Sequence, residues 1–534
     1  MATPLETASA LPPAPLSLAY DGEKDAPSLK SSALDEKIVD VESLDDGKIH
    51  GHLLKNGERI SISWTKEEQS SVVRKADLFL LPIFTILFFF MALDRTNISG
   101  VLTSTFLRDT NMTRDEANIG TSLLWLGIVL LEIPSNIILQ RIGAHIWIPA
   151  QVVIWGLAET LSMFIKNKSG FYAARLFLGL LESGFIPGGL YTVSRWYTRD
   201  ELAKRTVLFF YGTALASAFG NLVAAGCIAI DGRAGLAGWQ WIFLVDGVAT
   251  IAAGILAFLL IPKDPRHTAG LLRGKGWFNE READVFQARI ETDDPLKEQG
   301  ATLKITASDV ISVLAEWRMI PHLIMCLAGL QSVGGLSVWG GVIVKSLGFT
   351  SIHANLLNVP APVIGMLTSI ILAAAVDRYK KYGLAIVFTG MWTVIGLVAV
   401  YCLPIGLTNK NWSFYVALVF TLAAPNWQAL NVTWVSLSMR TPQRRAVAYA
   451  VYIGCSNLGV FRGSDAPKYR NAWAACLALG AAWLAASIFQ TVQYWLTNKR
   501  KAREWNALTA DEQEHYSATV TDTSGKRLDF TYPI

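Results

Sequence analysis

The chain has 534 residues, 52% of them hydrophobic and only 17% charged, with a formal net charge of +4. A soluble domain is about 25% charged, so the composition points to a membrane, and the small positive balance argues against a nucleic-acid partner. The five cysteines (Cys227, Cys326, Cys402, Cys455 and Cys476) lie in apolar runs without metal-ligand spacing, which argues against a disulfide framework or a metal centre and leaves them as packing residues.

Residues 1–70 mix Pro, Ser, Asp, Glu and Lys with no apolar core and no signal peptide, and are expected to form a disordered cytosolic tail. A bilayer core about 30 Å thick needs roughly 20 apolar residues of helix. Six such runs lie near 76–100, 116–139, 146–165, 170–193, 206–230 and 239–261, giving a six-helix bundle over 71–262. A polar cytosolic loop spans 263–319, in which Asn279 and Glu282 form a capping box that starts a short scaffold helix. Six further runs lie near 320–345, 355–376, 383–404, 413–438, 446–461 and 471–496, a second bundle over 320–497, and a cytosolic tail spans 498–534. The eleventh run is short: about 16 residues separate Ala446 from Arg462, against the roughly 20 a span needs.

Both termini are expected inside. Arg74 and Lys75 precede the first span, and Lys499, Arg500, Lys501 and Arg503 follow the last, although the basic bias among the short loops is slight. Under this orientation the sequons at Asn111, Asn167 and Asn411 fall in outer loops as glycosylation sites. Basic loops after the second and eighth spans, at Arg141 and Arg378, lie about 237 residues apart. Those ending at Arg205 and Arg445 lie about 240 apart. That spacing is the trace of two pseudo-symmetric halves related by an axis along the membrane normal. The expected fold is therefore all-α: a major facilitator fold of twelve transmembrane helices in two six-helix bundles.

Several segments then carry a family likeness in their order along the chain: Asp94-Arg95-Thr96-Asn97-Ile98 on the first span and Arg175-Leu176-Phe177-Leu178-Gly179 through Glu182 on the fourth. Trp239-Gln240-Trp241-Ile242-Phe243, Trp277-Phe278-Asn279 with Glu282, and Arg527-Leu528-Asp529-Phe530 with Tyr532 continue it. From about Lys75 onward the chain resembles the anion:cation symporter branch of the major facilitator superfamily, and within it the fungal allantoate-permease-like group. The resemblance implies proton-coupled uptake of a small carboxylate such as allantoate, nicotinate, pantothenate or biotin. It also implies several more residues around Gly459 and Val460 than this chain carries, so the short eleventh span puts transport competence in question.

Ionisable groups at membrane depth are costly unless they pair or face a wet cavity. Asp94 and Arg95 on the first span and Arg175 and Glu182 on the fourth are four such groups. Arg175 and Glu182 stand seven residues apart, about two turns on one helix face. Counting from the outer helix ends places Arg175 level with Asp94 and Arg95, and Glu182 nearer the midplane. The guanidinium groups suit a substrate carboxylate, and Asp94 and Glu182 can carry the coupled proton, roles the resemblance also implies for these positions. The alternative is a set of structural salt bridges locking the helices.

The second half offers Gln331 and Trp339 on the seventh span and Asn426, Gln428 and Asn431 on the tenth. These polar groups either orient the rest of a substrate or join helices. Glu132, Arg141, Asp377 and Arg378 are expected gating residues, with Gln140 standing where the superfamily usually has an Asp, and Glu159 is expected to face other helices. No cofactor, metal or enzymatic constellation is expected. The partners are a small organic anion, protons and lipid, and the protein is expected to be a monomer in the plasma membrane. An exporter of an acidic metabolite or a binding-only nutrient sensor are the rival readings.

Overall fold

The computed structural model describes residues 48–55, 58–268, 276–293, 316–403, 412–438 and 470–509, with isolated positions from 512 to 533. Among these described residues, ten stretches are long and apolar enough to cross a bilayer. In the first half they are built from α1 (Lys66–Thr103), α3 (Arg114–Ile142), α4 (Ala144–Leu161), α5 (Lys168–Glu182) with α6 (Phe185–Trp196), α7 (Arg199–Ala229) and α8 (Gly238–Leu260). A short α2 (Phe106–Asp109) follows α1. In the second half they are α10 (Ile320–Ser346), α11 (Ser351–Leu357) with α12 (Pro360–Tyr379), α13 (Tyr382–Cys402) and α16 (Arg470–Asn506). The tenth expected span is two pieces, α14 (Trp412–Leu422) and α15 (Trp427–Ser438), separated around Pro425. The short eleventh span lies outside the described residues.

The two halves repeat one packing scheme. The first span packs on the sixth (α1 on α8), as the seventh packs on the twelfth (α10 on α16). The second packs on the fourth (α3 on α5), as the eighth packs on the tenth (α12 on α14). The third packs on the sixth (α4 on α8), as the ninth packs on the twelfth (α13 on α16). This is the internal duplication expressed in three dimensions. Small residues permit the closest approaches: a Cβ at Gly179 of α5 would lie 2.0 Å from the Leu124 carbonyl oxygen of α3.

The tail expectation needs correction. Within residues 1–70, positions 48–65 form an antiparallel hairpin, β1 (Lys48–Lys55) and β2 (Glu58–Thr65), in register Ile49↔Trp64, Gly51↔Ile62 and Leu53↔Ile60. Those positions share one face, and Leu53 and Trp64 are buried in a cluster with Trp277, Phe286 and Ile290. Thr65 then caps α1 through a capping box with Glu68. The middle-loop helix α9 (Glu280–Asp293) starts with the capping box read from the sequence: the Glu282 amide donates to Asn279 Oδ1 at 2.8 Å, and the Asn279 amide to Glu282 Oε2 at 3.1 Å.

Hairpin and α9 cover one face of the first bundle, with α9 held by Lys75–Glu282 at 2.7 Å and Arg289–Glu201 at 2.6 Å, while Arg205–Asp77 at 2.7 Å ties α7 to α1 beneath them. The expected second tail is also partly ordered. Helix α16 runs on to Asn506, and Tyr532 returns to stack on Tyr494 with ring centroids 4.5 Å apart. The Tyr532 amide donates to Asn498 Oδ1 at 2.8 Å, Asn498 Nδ2 donates to its carbonyl at 2.7 Å, and Trp434 Nε1 donates to the Pro533 carbonyl at 2.7 Å.

At the opposite face the halves meet. Trp339 Nε1 donates to Asn118 Oδ1 at 3.0 Å, and Asn355 Nδ2 to Thr103 Oγ1 at 2.8 Å. The last carbonyl of α1, that of Thr103, accepts from Lys345 Nζ at 2.7 Å and Ser351 Oγ at 2.8 Å. A cation on an orphan helix-end carbonyl also complements the helix dipole.

Candidate functional site

The site begins with a break in the fourth span. Helix α5 ends at Glu182, Ser183 is extended, and Gly184 takes a left-handed conformation at φ +77 before α6 starts. A side chain at Gly184 would be strained by that backbone and would also meet Ser135 Oγ at 2.6 Å. The break frees carbonyls inside the bundle, and Gln151 of α4 satisfies them: its Nε2 donates to Leu181 O at 2.9 Å and Ser183 O at 2.5 Å. A buried amide thus fixes the end of α5 and with it the position of Glu182.

Arg95 of α1 donates from Nε to Glu182 Oε2 at 2.6 Å and lies over the Trp125 ring at 5.1 Å. Its side chain is 13% exposed, whereas that of Glu182 is fully buried. Arg175 is buried between Phe171 and Phe243, with its guanidinium carbon 5.5 and 5.7 Å from the two ring centroids. Its Nη2 has no hydrogen-bond partner. The structure therefore brings the four sequence-read charges into one bundle interior but pairs them differently from the depth count. Arg95 reaches Glu182, and Arg175 is left with a donor unused.

Behind them lies a layer the sequence reading did not assemble. Asn97 Nδ2 donates to Glu159 Oε1 at 2.5 Å and to Asp246 Oδ2 at 3.1 Å, so one amide holds acids from the third and sixth spans. Thr250 Oγ1 donates to Asp94 Oδ1 at 3.5 Å. Asp94, Glu159, Glu182 and Asp246 are all buried. Four carboxyl groups thus share an interior in which Arg95 and Arg175 are the neighbouring cations. Glu159 does face other helices, as read from sequence. Asp246 was missed, although an acid inside an apolar run is by itself a signal.

The remaining candidates are dispersed. Glu132 lies within electrostatic reach of Arg95, deeper than a loop gate. Arg141 is exposed at the end of α3, Arg378 lies over Tyr379 at 5.9 Å, and the Asp377 side chain lies outside the described residues. Trp339 is committed to the seam with Asn118, and Gln331 is buried in α10. Asn426 caps the second piece of the tenth span, accepting from the Gln428 amide at 2.9 Å. It also lines an apolar cavity of about 160 Å³ between α7, α12 and α15, which the four charges of the first half do not line. Asn431 instead contacts a buried histidine absent from the sequence reading, His322, at 2.8 Å. Asn111 is exposed with φ +53, Asn167 caps α5 by accepting from the Gly170 amide at 2.9 Å, and Asn411 lies outside the described residues.

The chain is 29% identical over 481 residues, 88% of either chain, to an uncharacterized transporter of Saccharomyces cerevisiae. It is 28% identical to an MFS-type transporter of Penicillium expansum, covering 86% of this chain and 89% of that one. A protein of Agrobacterium vitis provisionally named a tartrate transporter is 27% identical across 64% of this chain and 77% of its own. Among solved structures, the xylose transporter XylE of E. coli in a partially occluded inward-open state aligns with a TM-score of 0.55 at 14% identity, over 80% of this chain and 97% of that one. A bacterial homologue of the human lysosomal transporter Spinster aligns with a TM-score of 0.51 and the same coverage. Residues 84–464 match the Major Facilitator Superfamily, and the chain belongs to that superfamily, a multi-pass membrane transporter and not an enzyme.

Proposed function

We propose that this transporter is a proton-coupled symporter of a small organic anion, a carboxylate of the size of allantoate, nicotinate, pantothenate or tartrate. The observation that carries the reading is the arrangement of Arg95 and Arg175. One guanidinium is held by Glu182 at 2.6 Å, and the other is buried with an unused donor. A planar donor fork in a low-dielectric interior is suited to a carboxylate. Protonation of Glu182 releases Arg95, and the incoming anion then supplies the counter-charge that both guanidiniums need. Asp94, one turn of helix from Asn97 and facing the same interior, is the second proton carrier. The relative from Agrobacterium vitis named for tartrate agrees with an acidic substrate.

The protein acts as a monomer in the plasma membrane with both termini cytosolic, and the sequons at Asn111, Asn167 and Asn411 face outward for glycosylation. The hairpin and α9 then lie on the cytosolic face, and the Thr103–Lys345 seam forms the outer gate.

The test is uptake of a radiolabelled panel of these acids into proteoliposomes holding the purified chain, with an imposed inward proton gradient. Accumulation that collapses with the gradient is the expected result. In Glu182→Gln, uptake becomes independent of the gradient while substrate still binds. Unchanged gradient dependence in that variant removes Glu182 from the proton path. Saturable binding without accumulation in the unaltered protein favours a sensor.

A further inference from the structure

A second concave site lies on the hairpin face of the first bundle, away from the buried charges. The C-terminal end of α3, the turn into α4, the end of α6, the segment after α8 and one side of α9 enclose about 530 Å³. Pockets for small ligands fall within about 300–1,000 Å³. The lining carries Arg141, Arg195, Lys263 and Arg266, together with His145 and His267, against two carboxylates, Asp264 and Glu291.

The carboxylates are already occupied. Asp264 accepts from the backbone and Nδ1 of His267 at 2.8 and 2.9 Å, and from the Arg266 amide at 2.9 Å. Burial acts to raise its carboxyl, but the His267 hydrogen bonds and that amide outweigh it and hold the group below the usual carboxylate range. Glu291 accepts from Gln287 Nε2 at 2.7 Å. Arg266 is held along α9 by Gln287 at 2.9 Å and Asp284 at 3.2 Å. Arg141, Arg195 and Lys263 are exposed and make no ion pair among the described residues.

Three uncommitted cations on the wall of one cleft repel one another unless an anion joins them. The cleft also opens at the boundary between helix ends and polar loops. Ile142 in its lining is 46% exposed, and Ile146 on the first turn of α4, beyond the Gly143 turn, is 44% exposed, so an exposed apolar strip adjoins the basic wall. We propose that this cleft binds a phosphate-bearing headgroup of an acidic membrane lipid, with Arg141, Arg195 and Lys263 on the phosphate oxygens and the Ile142–Ile146 strip against an acyl chain. Basic pockets at the ends of membrane helices recognise such headgroups by this combination. Arginine forks match phosphate geometry, and lysine adds a point charge. The site is separate from the substrate chamber, so its occupancy acts on transport through the first bundle rather than by competing with the substrate.

The experiment measures equilibrium binding to the purified full chain in neutral detergent and needs no transport. The probes are dioctanoyl phosphatidylinositol bisphosphate, dioctanoyl phosphatidylcholine, soluble inositol trisphosphate and inorganic phosphate. Saturable, salt-sensitive binding of the acidic lipid, tighter than that of inositol trisphosphate, with none of phosphatidylcholine, is the expected result. The double variant Arg195→Gln/Lys263→Gln weakens the acidic lipid about tenfold. Arg108→Gln/Arg114→Gln, on the opposite face, leaves it unchanged and checks that the loss is local. Equal affinity for the lipid and the soluble phosphates overturns the lipid assignment. Undiminished lipid affinity in the Arg195/Lys263 variant, eluting as a single species, overturns the site.

Discussion

Arg175 is buried beside two aromatic faces, with one nitrogen that nothing in the protein engages. Lysine in its place keeps the charge but loses both the fork and the flat stacking surface. Arg175→Lys is therefore expected to raise the KM for the transported acid about tenfold with little change in protein yield, a loss of one charge-assisted hydrogen bond. Initial-rate uptake across a substrate range checks this, and an unchanged KM removes Arg175 from substrate contact. Asp94, Arg95, Arg175 and Glu182 were legible in the sequence because ionisable groups in apolar runs are costly and conspicuous. Their partners were not. Counting turns gives a depth along each helix but no rotation about it, and the long arginine side chain reaches past its own level to Glu182. Asp246 carried the same signal and was passed over; only its link to Asn97, 149 residues away, is beyond any local spacing.

At the scale of elements, the break after Glu182 depends on an amide from another helix. Gln151→Leu leaves the carbonyls of Leu181 and Ser183 buried without that donor. An unsatisfied buried polar group costs about 1–3 kcal/mol, so the variant is expected to unfold at a lower temperature in detergent. A midpoint equal to that of the unaltered protein shows that the break holds itself. The clamp under the hairpin is stronger. Arg289, with a side chain 3% exposed, meets Glu201 through two contacts of 2.6 and 2.7 Å. Removing one partner of such a pair costs about 3–5 kcal/mol. Arg289→Ala is expected to open the hairpin face to limited proteolysis before the rest of the bundle, and cleavage no faster than in the parent protein contradicts this. The capping box of α9 was readable because its signal is four residues long. The hairpin was passed over, although Asn56-Gly57 between alternating apolar positions is a hairpin signature. The polar composition of the surrounding tail outweighed it, and the burial of Leu53 and Trp64 depends on α9, more than 200 residues away.

For the whole molecule, the expectation of twelve spans and their duplication rested on apolar run length and the recurrence of basic loops, and the described residues hold ten such spans and the repeated packing. Run length and recurrence need only composition and spacing. The seam between the halves had no such trace. Thr103, Lys345, Ser351 and Asn355 meet across it, and none belongs to a periodic pattern. The first helix ends on that seam, so loosening it biases which side of the transporter opens. Lys345→Met removes the cation from the Thr103 carbonyl at 2.7 Å. It is expected to increase labelling of a cysteine introduced at Asn118 by a membrane-impermeant reagent. Labelling equal to that of the same cysteine in the parent background excludes Lys345 as a latch.

The return of Tyr532 to Asn498 ties both ends of the intervening chain to one helix. Two such anchors on one helix hold a longer connection at small extra cost, because closure entropy grows only with the logarithm of residue number. A grafted epitope is better placed beyond Tyr516, because Gln513 and Tyr516 are already engaged with Trp505 at the end of that helix. Substituting Tyr532 by a small residue removes only the ring stacked on Tyr494; the backbone bonds to Asn498 and Trp434 keep the return in place.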